Sequence, residues 1–287
     1  MQNTTEKSSR SAEGLYKFFI YFVLVLLAVT IIVPVAWVFM ASIKQNAEFY
    51  GNPWALPAGF YWQNFVNAWN GAKMGEYMLN SVIVTALALA LLLVVALPAA
   101  YCLSRFHFKG RKLLQNLSVT VNLFPGVLAM IAVYFVLKYM NLTNSYAGLI
   151  MVYAGSSGLG YLICKGFFDT VPVSLREAAK LDGASEARIF FQIVIPMSRP
   201  ILVYTIINSF LMPWTDFVMA KMILNSGVSS DWTVAIGLYN MLQKALINNY
   251  FSRFCAGGVL VAIPISILFV IMQKFYVEGI TSGAAKG

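Results

Sequence analysis

The segment REAAKLDGASEARIFFQIVIP, residues 176–196, is charged and patterned like a helix in a chain that is otherwise strongly apolar. Of the 287 residues, 60% are hydrophobic, 15% are aromatic and only 11% are charged. Soluble domains have roughly a quarter of their residues charged. The composition therefore indicates a membrane protein. The first question about its fold is where this charged segment lies relative to the membrane-spanning helices.

Uncharged runs on both sides of the segment predict six membrane spans. A helix needs about 20 apolar residues to cross roughly 30 Å of hydrocarbon, so the runs between charged residues mark the candidates. They are residues 18–43, 77–104, 113–137, 139–164, 200–220 and 254–273. The predicted fold is an all-α membrane protein with six transmembrane helices and a charged loop, 165–199, between the fourth and the fifth.

The positive charges predict the orientation. If the N-terminus is inside, fourteen of the 20 lysines and arginines fall in cytoplasmic segments, which is the side that such charges favour. We therefore expect a multi-pass protein of the cell membrane with both termini in the cytoplasm. Residues 1–17 form a polar tail of a composition typical of disorder, residues 18–273 form the transmembrane domain, and residues 274–287 form a second tail.

The charged segment itself predicts two short helices joined at a glycine. Ser174 and Glu177 have the spacing of a capping box, which places the first helix start near residue 175. Gly183 follows where a left-handed residue would end that helix. Ser185 can cap a second helix, which Pro196 would end. Such short helices need tertiary partners, so we expect a rigid unit with a surface that another protein could contact.

The same residues resemble the EAA signature of membrane subunits from binding-protein-dependent ATP-binding-cassette (ABC) importers. In that family the segment is a coupling helix that docks on the ATPase subunit. The residues that carry the match are Glu177, Ala178, Ala179, Gly183, Ile193, Ile195 and Pro196. The resemblance implies ATPase-coupling roles for Glu177, Ala178, Ala179, Asp182, Gly183 and Pro196.

Other stretches are similar to the carbohydrate-uptake branch of these permeases, of the maltose type with six spans. They are LNSVIVT (79–85), AAYCLSRFHFKGRK (99–112), PWTDF (213–217) and QKFYVEGITSGAAKG (273–287). This likeness implies a sugar substrate of oligosaccharide size. It also implies a second permease subunit as heterodimer partner, two cytoplasmic ATPase subunits and an extracytoplasmic solute-binding protein, with membrane lipid around the helices and no nucleic acid.

No catalytic set is visible in the sequence. The chain has no G-x-x-x-x-G-K-[ST] phosphate loop, so we expect no cofactor here and assign ATP and Mg to the partner ATPase subunits. His107 is the only histidine, and the three cysteines lack ligand-like spacing, so neither an enzyme nor a metal site is predicted. The alternative is a self-sufficient secondary transporter or channel, which would want ionisable residues inside the spans and often an internal repeat.

Five polar or aromatic residues in the spans are candidates for the translocation path: Asn80, Asn122, Asn208, Trp214 and Asp216. Asn122 and Asn208 are favoured because an amide that faces lipid is costly. Asp216 could contact the path, or it could pair with Lys221 or reach the membrane boundary. Trp214 could stack on a sugar ring or lie in the interfacial aromatic belt.

Overall fold

The computed structural model describes residues 2–123, 126–156 and 158–284. Within these ranges the regular structure is helical and contains no strand. The α-helices are α1 (Gln2–Ser42), α2 (Asn46–Gly51), α3 (Gln63–Val66), α4 (Met74–Arg105), α5 (Arg111–Asn122), α6 (Gly126–Tyr139), α7 (Tyr146–Gly155), α8 (Gly158–Asp169), α9 (Val173–Leu181), α10 (Glu186–Ile189), α11 (Ile195–Met197), α12 (Arg199–Thr215), α13 (Val218–Ile223), α14 (Val234–Met241) and α15 (Lys244–Ala284). Asn67–Gly71 and Phe190–Val194 form π-helical turns, and Ser229–Asp231 forms a 3₁₀ turn.

Four helical stretches in the described ranges are long and apolar enough to cross a membrane: Tyr16–Ser42, Met74–Arg105, Tyr146–Asp169 and Tyr250–Phe275. A fifth is added if Glu186–Met197 and Arg199–Thr215, which meet at a bend of 83°, are counted as one span. The prediction of an all-α protein with several membrane-spanning helices is confirmed. The described ranges thus contain four or five such stretches, whereas the sequence predicts six spans.

The third and fourth predicted spans differ from the observed helices. Residues 113–137 are divided between α5 and α6, and residues 124 and 125 lie outside the described ranges. The fourth candidate starts at Tyr146 instead of residue 139. Asn141 and Asn144 both have a φ of 56°, a left-handed conformation that interrupts an α-helix. The connection between α6 and α7 is therefore a turn.

The fifth predicted span, residues 200–220, is also interrupted. Helix α12 ends at Thr215, and Asp216 is extended, with φ −73° and ψ 121°. The Asp216 carboxylate accepts hydrogen bonds from the backbone N–H groups of Met219 (3.3 Å) and Ala220 (3.0 Å) at the start of α13. Aspartate competes in this way for backbone donors and favours a helix start over a helix interior.

The ends of the chain are more helical than predicted. Helix α1 begins at Gln2, so its backbone is helical through the polar tail for which disorder was expected. Most of its apolar part is uncovered in the described chain, as Phe18 (68% exposed) and Ile31 (68% exposed) show, whereas its last turns are packed, with Ala41 buried and Trp37 in contact with Phe49. Helix α15 extends into the C-terminal tail as far as Ala284, and residues 285–287 lie outside the described ranges.

The chain divides into two compact units. The first comprises Met1–Gly71 and Met241–Leu260. Its core contains buried Phe49, whose ring stacks on Phe251 with a centroid distance of 4.5 Å. Lys44 is fully buried there, and its Nζ donates to the carbonyl oxygens of Asn52 and Pro53 at 3.2 Å each. These bonds offset the cost of burying the ammonium group.

The second unit comprises Ala72–Asn240 and Val261–Gly287 and is built around α4. This helix packs against α7, α8 and α12. One apolar cluster joins α4 to α6, α7, α13 and α14 through residues that include Val84, Leu149 and Ile223. A second cluster joins the other end of α4 to α8 and α10. The charged segment is built on this second cluster.

Candidate functional site

The charged segment begins with α9, which ends in a Schellman motif at Gly183. The Gly183 N–H donates to the Lys180 carbonyl at 3.0 Å, and the Ala184 N–H donates to the Ala179 carbonyl at 2.9 Å. Gly183 has a φ of 79°, which glycine adopts without steric cost. Ser185 then caps α10, because its Oγ accepts the backbone N–H three residues on, at 3.3 Å. The predicted glycine stop and serine cap are both confirmed.

The start of α9 differs from the prediction. Helix α9 begins at Val173, directly after Pro172, and no side chain caps its first turn. Ser174 therefore lies inside the helix, two positions past the N-cap, from which a capping box would have to form. The capping box predicted for Ser174 and Glu177 is wrong. Both of these side chains are exposed instead.

Pro196 lies within the second helical stretch and does not end it. The π turn Phe190–Val194 directly precedes it, and the Ile195 N–H bonds to the carbonyl five residues earlier. A π turn changes the hydrogen-bond register, so the missing N–H and the ring of proline are accommodated. The helix continues to Met197, and the bend of 83° follows at Ser198, directly before α12 starts at Arg199.

Glu186 connects both parts of the segment to α4. Its Oε2 accepts hydrogen bonds from the Tyr101 hydroxyl (2.6 Å) and from Nε of Arg176 (3.3 Å). Its Oε1 is paired with the Arg176 guanidinium and with Nζ of Lys180, the latter at 2.7 Å. The guanidinium also lies over the Phe106 ring, 5.6 Å from the centroid. One carboxylate thus holds α9 and α10 against the end of α4.

The pKa values agree with a fixed charge cluster. Burial raises the pKa of Glu186, but hydrogen bonds from Arg176, Lys180 and Tyr101 outweigh burial and lower this pKa from 4.5 to about 2. The hydrogen bond to Glu186 raises the pKa of Arg176. Both groups are therefore ionised at neutral pH, and charge-assisted hydrogen bonds of this kind are the stronger ones in proteins.

Apolar packing holds the inner side of the segment. Ile189, Phe190 and Val194 are at most 6% exposed and pack into a cluster with Ala100, Tyr101, Cys164 and Phe168. Beneath the segment, the Arg105 guanidinium donates to the carbonyl oxygens of Phe168 (2.5 Å) and Val171 (2.7 Å). These bonds satisfy carbonyls at the end of α8, so the segment is a rigid unit on α4 and α8.

The outer face of α9 is uncovered. Four of the residues with implied coupling roles are exposed: Glu177, Ala178, Asp182 and Gly183. Leu181, on the same side of the helix, is 89% exposed. Ala179 instead faces inward and packs against the buried cluster. Pro196 is exposed as well, but it lies on α11. One face of α9 is therefore exposed, whereas Ala179 on the opposite face packs against the buried cluster.

The second unit also contains a cavity of about 880 Å³ among α5, α6, α7, α12 and α13. Its walls are mainly apolar. Five methionines line it: Met130, Met140, Met151, Met212 and Met219. The polar lining groups are Asn122, Ser156, Thr215 and Asp216. Methionine side chains are flexible and polarizable, so these walls can adapt to more than one shape.

Asp216 is fixed at the wall of this cavity by three donors. Besides the two backbone N–H groups of α13, the hydroxyl of buried Tyr153 donates to its Oδ2 at 2.7 Å. Among the described residues no ion pair joins Asp216 to Lys221, whose Nζ instead lies 5.1 Å from the centroid of the Trp232 ring. The pairing with Lys221 considered from the sequence is therefore not what the structure contains.

The three asparagine candidates occupy different places. Asn122 lines the cavity, and its Nδ2 donates to the Ser118 carbonyl at 2.8 Å. Asn208 is exposed and bonds the carbonyl one turn earlier in α12, outside the lining. Asn80 donates to the carbonyls of Ser230 (2.7 Å) and Trp232 (3.0 Å). Asn80 thus anchors the connection between α13 and α14.

Trp214 is buried in the interior of the unit. Its side chain is 0% exposed, its ring stacks on Phe210 with a centroid distance of 5.3 Å, and its Nε1 donates to the Val261 carbonyl at 3.2 Å. Neither role considered from the sequence, a sugar platform or an interfacial belt residue, fits a ring without exposed surface. Trp214 is a core residue that ties α12 to α15.

Two residues were missed from the sequence: Glu186, which joins the charged segment to α4, and Tyr153, which holds Asp216. Each is separated in sequence from its partner, by 85 residues for Tyr101 and Glu186 and by 63 for Tyr153 and Asp216. Glu186 is the first residue of α10, where acidic residues are common for helix-dipole reasons alone. No feature of the neighbouring sequence therefore distinguished Glu186 from an ordinary acidic residue at a helix start.

A metal centre finds no support in the described part of the chain. No group of three or more histidine, cysteine, aspartate or glutamate side chains there could hold a metal ion. The three cysteines of the chain are free thiols. The polar features that remain are the outer face of α9 and the cavity wall at Asp216 and Asn122.

Comparison with known proteins agrees with this arrangement. Residues 93–282 match the family described as binding-protein-dependent transport system inner membrane component. The galactooligosaccharides transport system permease protein GanQ of Bacillus subtilis (strain 168) is 32% identical over 273 residues, which cover 94% of this chain and 95% of GanQ. The maltodextrin transport system permease protein MalD of Streptococcus pneumoniae (strain ATCC BAA-255 / R6) is 32% identical over 289 residues, which cover all of both chains.

A solved structure has the same fold. It is a chain from a bacterial ABC transporter involved in the import of the acidic polysaccharide alginate, with a TM-score of 0.80 and 19% identity, covering 92% of this chain and 98% of that one. The family match extends over the charged segment and the cavity and over more than half of the chain. This multi-pass membrane protein belongs to the family of binding-protein-dependent transport system inner membrane components.

Proposed function

We propose that this chain is one permease subunit of an ATP-driven importer for an oligosaccharide. The proposal is supported by relatives that match 94% and 100% of the chain, which are permeases for galactooligosaccharides and maltodextrin. The chain would form half of the translocation pathway with a second permease subunit. An extracytoplasmic solute-binding protein would deliver the sugar, and two cytoplasmic ATPase subunits would bind ATP and Mg and hydrolyse the nucleotide.

The observation that carries the proposal is the uncovered outer face of α9 on a rigid base. Ion pairs, buried apolar contacts and a Schellman turn hold the helix, yet Leu181 remains 89% exposed beside Glu177 and Asp182. A helix of nine residues is unstable alone, so its fixed position depends on the surrounding contacts. We assign the coupling role to Glu177, Ala178, Asp182 and Gly183, with Ala179 and Pro196 as supports.

A six-span topology follows from combining the shorter helices. In it, α5 with α6 forms the third span, α7 with α8 the fourth, and α12 the fifth. Both termini and the charged segment would lie in the cytoplasm, as the distribution of lysine and arginine favours. The transmembrane domain, residues 18–273, then lies between the tails 1–17 and 274–287. Movement of α9 would reach α4 and α8 through Glu186 and the buried cluster.

The cavity wall supplies the candidate solute path. Asn122 and Asp216 face the cavity of about 880 Å³, and we propose that they contact the solute or the water around it. The other three sequence candidates are not part of this path. Asn80 and Trp214 are engaged in contacts within the second unit, and Asn208 lies outside the cavity lining. A secondary transporter would need ionisable groups for ion coupling, and Asp216, held by three donors, is poorly suited to exchange a cation.

Gly183 offers the sharpest test, because its surroundings leave room for a side chain whereas its positive φ restricts which side chain can be placed there. No heavy atom lies within 4 Å of a Cβ added there, but φ is +79°. Asparagine tolerates this conformation, whereas a β-branched residue does not. In the purified complex with ATPases and binding protein, Gly183→Asn should keep sugar-dependent ATP turnover, and Gly183→Val should lose most of it.

The matched control is Arg188→Gln, which alters an exposed side chain on α10 whose one hydrogen-bond partner among the described residues is its helical neighbour Gln192. Its turnover should equal that of the wild type. In a second arm, Glu177→Lys reverses the charge on the outer face of α9 and should also lower turnover. Normal sugar-dependent turnover in both Gly183→Val and Glu177→Lys would show that α9 does not transmit the ATPase signal.

A further inference from the structure

Arg253 in the first unit has an incomplete set of partners. Its guanidinium lies 4.0 Å from the centroid of the Tyr250 ring. Its Nε is buried, and among the described residues it has no hydrogen-bond partner. A buried donor without an acceptor costs about 1–3 kcal/mol or more when the group is charged. The native protein should therefore provide an acceptor that the described residues do not.

A polar cavity lies next to this guanidinium. It measures about 260 Å³, and Arg253 and Tyr250 line it together with Gln45, Tyr61 and Asn67. This volume is several times the roughly 30 Å³ that one water molecule occupies in the liquid. Amide and phenol groups can donate hydrogen bonds in addition to the guanidinium. The cavity is thus lined by the cationic guanidinium of Arg253 and by neutral hydrogen-bond donors.

The charge around the cavity favours an anion. Among the described residues that line it, Arg253 is the only charged one. Glu48 lines a neighbouring cavity of about 270 Å³ that shares Gln45 and Tyr61 with this one, and its Oε1 accepts the Ala58 N–H at 2.6 Å. The planar guanidinium binds phosphate and carboxylate oxygens in pairs. A singly charged oxyanion would supply the missing acceptor.

The position along the helix identifies the source of that anion. Arg253 lies in the first turn of the apolar stretch Tyr250–Phe275, which is long enough to span a membrane. The same unit exposes three tryptophan rings, Trp54 (69%), Trp62 (59%) and Trp69 (45%). Exposed tryptophan and the ends of apolar helices are typical of the depth at which lipid headgroups lie. Arg253 therefore belongs at headgroup level.

We propose that Arg253 and the cavity beside it bind the phosphate group of a phospholipid headgroup. The guanidinium would form a paired contact with two phosphate oxygens while it stays stacked on Tyr250. Gln45 and Asn67 would donate to the remaining oxygens. The bound lipid would become part of the first unit, where α15 meets the loop that follows α1.

Native mass spectrometry of the full chain, titrated with defined lipids, tests this proposal. The probes are phosphatidic acid, diacylglycerol with the same acyl chains, and inorganic phosphate. The wild type should bind phosphatidic acid at least about tenfold more tightly than diacylglycerol. Arg253→Gln should remove most of that difference, and Arg253→Lys, which keeps the charge but not the planar fork, should retain part of it.

Lys73→Gln is the matched control, because Lys73 is an exposed cation paired with Glu76 at 3.8 Å and lies outside the cavity lining. It should leave the preference for phosphatidic acid unchanged. Displacement of the lipid by millimolar inorganic phosphate would support the phosphate site and name free phosphate as a second source of the ligand. Equal affinity of the wild type for phosphatidic acid and diacylglycerol would overturn the proposal, whether or not Arg253→Gln folds.

An equal loss of phosphatidic acid in Arg253→Gln and Lys73→Gln would also overturn it, since binding would then depend on net charge alone. A third refuting result would come from the assembled complex. If the lipid preference disappears once the partner subunits are present, the cavity serves a protein contact in the working transporter.

Discussion

Replacing Glu186 by glutamine isolates the charge that holds α9 in place. Glutamine keeps the length of the side chain and an oxygen that can accept the hydrogen bond from Tyr101. It removes the negative charge that Arg176 and Lys180 share. Because this carboxylate links α9 to α10 and α4 while the buried apolar cluster is left intact, the substitution should loosen α9 without unfolding the spans.

The expected size follows from the exposure of the partners. The Arg176 side chain is 20% exposed and that of Glu186 is 28% exposed, so their pair is partly shielded from water, whereas Lys180 is 47% exposed. A hydrogen bond to a charged group is worth about 1.5–3 kcal/mol, and an exposed pair about 0–1 kcal/mol. After allowance for solvent screening and for the acceptor that glutamine retains, we expect a loss of about 1.5 kcal/mol.

Amide hydrogen exchange of the intact complex measures this loss directly. A change of about 1.5 kcal/mol in local opening corresponds to roughly tenfold faster exchange, since each 1.4 kcal/mol is a factor of ten. The increase should be confined to α9 and the turn at Gly183, and α4 should be unchanged. ATP turnover should persist but depend less on the sugar, because a loosened α9 transmits less movement.

The matched control is Glu177→Gln, which likewise replaces one carboxylate by an amide, in this case on α9 itself. Glu177 is exposed, and among the described residues its side chain has no ion pair or hydrogen bond, so exchange of α9 should stay at the wild-type rate. The reasoning fails if Glu186→Gln and Glu177→Gln give the same exchange rates. It also fails if exchange increases throughout α4, because the carboxylate would then stabilise the whole bundle.

The pH dependence has a defined sign. The pKa of Glu186 is lowered from 4.5 to about 2 by its partners, so its contribution is fully present above about pH 4.5 and is lost as the pH falls towards 2. Between pH 8 and 5, the protection of α9 relative to unfolded peptide should therefore be constant. A loss of protection within that window in the wild type would mean that another group controls the docking of α9.

Two further substitutions test the packing of the second unit. A Cβ added at Gly148 would lie 2.2 Å from the Leu142 carbonyl oxygen, whereas one added at Gly166 would meet no heavy atom within 4 Å. Gly148→Ala should therefore lower the thermal midpoint of the purified complex by several degrees, and Gly166→Ala should leave it equal or slightly higher; equal midpoints would contradict the close approach of the backbone. Trp214→Ala should destabilise the unit by about 3–5 kcal/mol and Trp214→Phe by less, as measured by denaturation of the complex. If Trp214→Ala instead kept stability and lost only sugar transport, the ring would belong to the solute path.

Local structure was predictable at Gly183 and Ser185, where the residue acts on the backbone of its own segment. Gly183 ends α9 because a left-handed turn is available to glycine at little cost, and Ser185 caps α10 because its hydroxyl reaches a donor three residues away. Both features depend on neighbours within one turn. The capping box at Ser174 was wrong for a related reason, since Pro172 already provides a suitable start and the helix begins one residue before Ser174.

Continuity of the spans was not predictable from the absence of charge. Counting uncharged residues gives no information on backbone conformation. The turn at Asn141 and Asn144 was therefore not predicted. It also treated Asp216 as one charge within a span. In the structure, Asp216 ends one helix and starts the next because its carboxylate bonds two backbone donors and the Tyr153 hydroxyl.

The sequence by itself determined that the chain is helical, resides in a membrane and carries a charged segment with a glycine turn, because composition and one-turn contacts are sufficient for those properties. Only the tertiary structure decided which side of α9 is exposed, that Trp214 is buried, and that Glu186 joins α9 to Tyr101. Those outcomes depend on side chains tens of residues apart being packed together, and packing of that kind leaves no local signature in the order of residues.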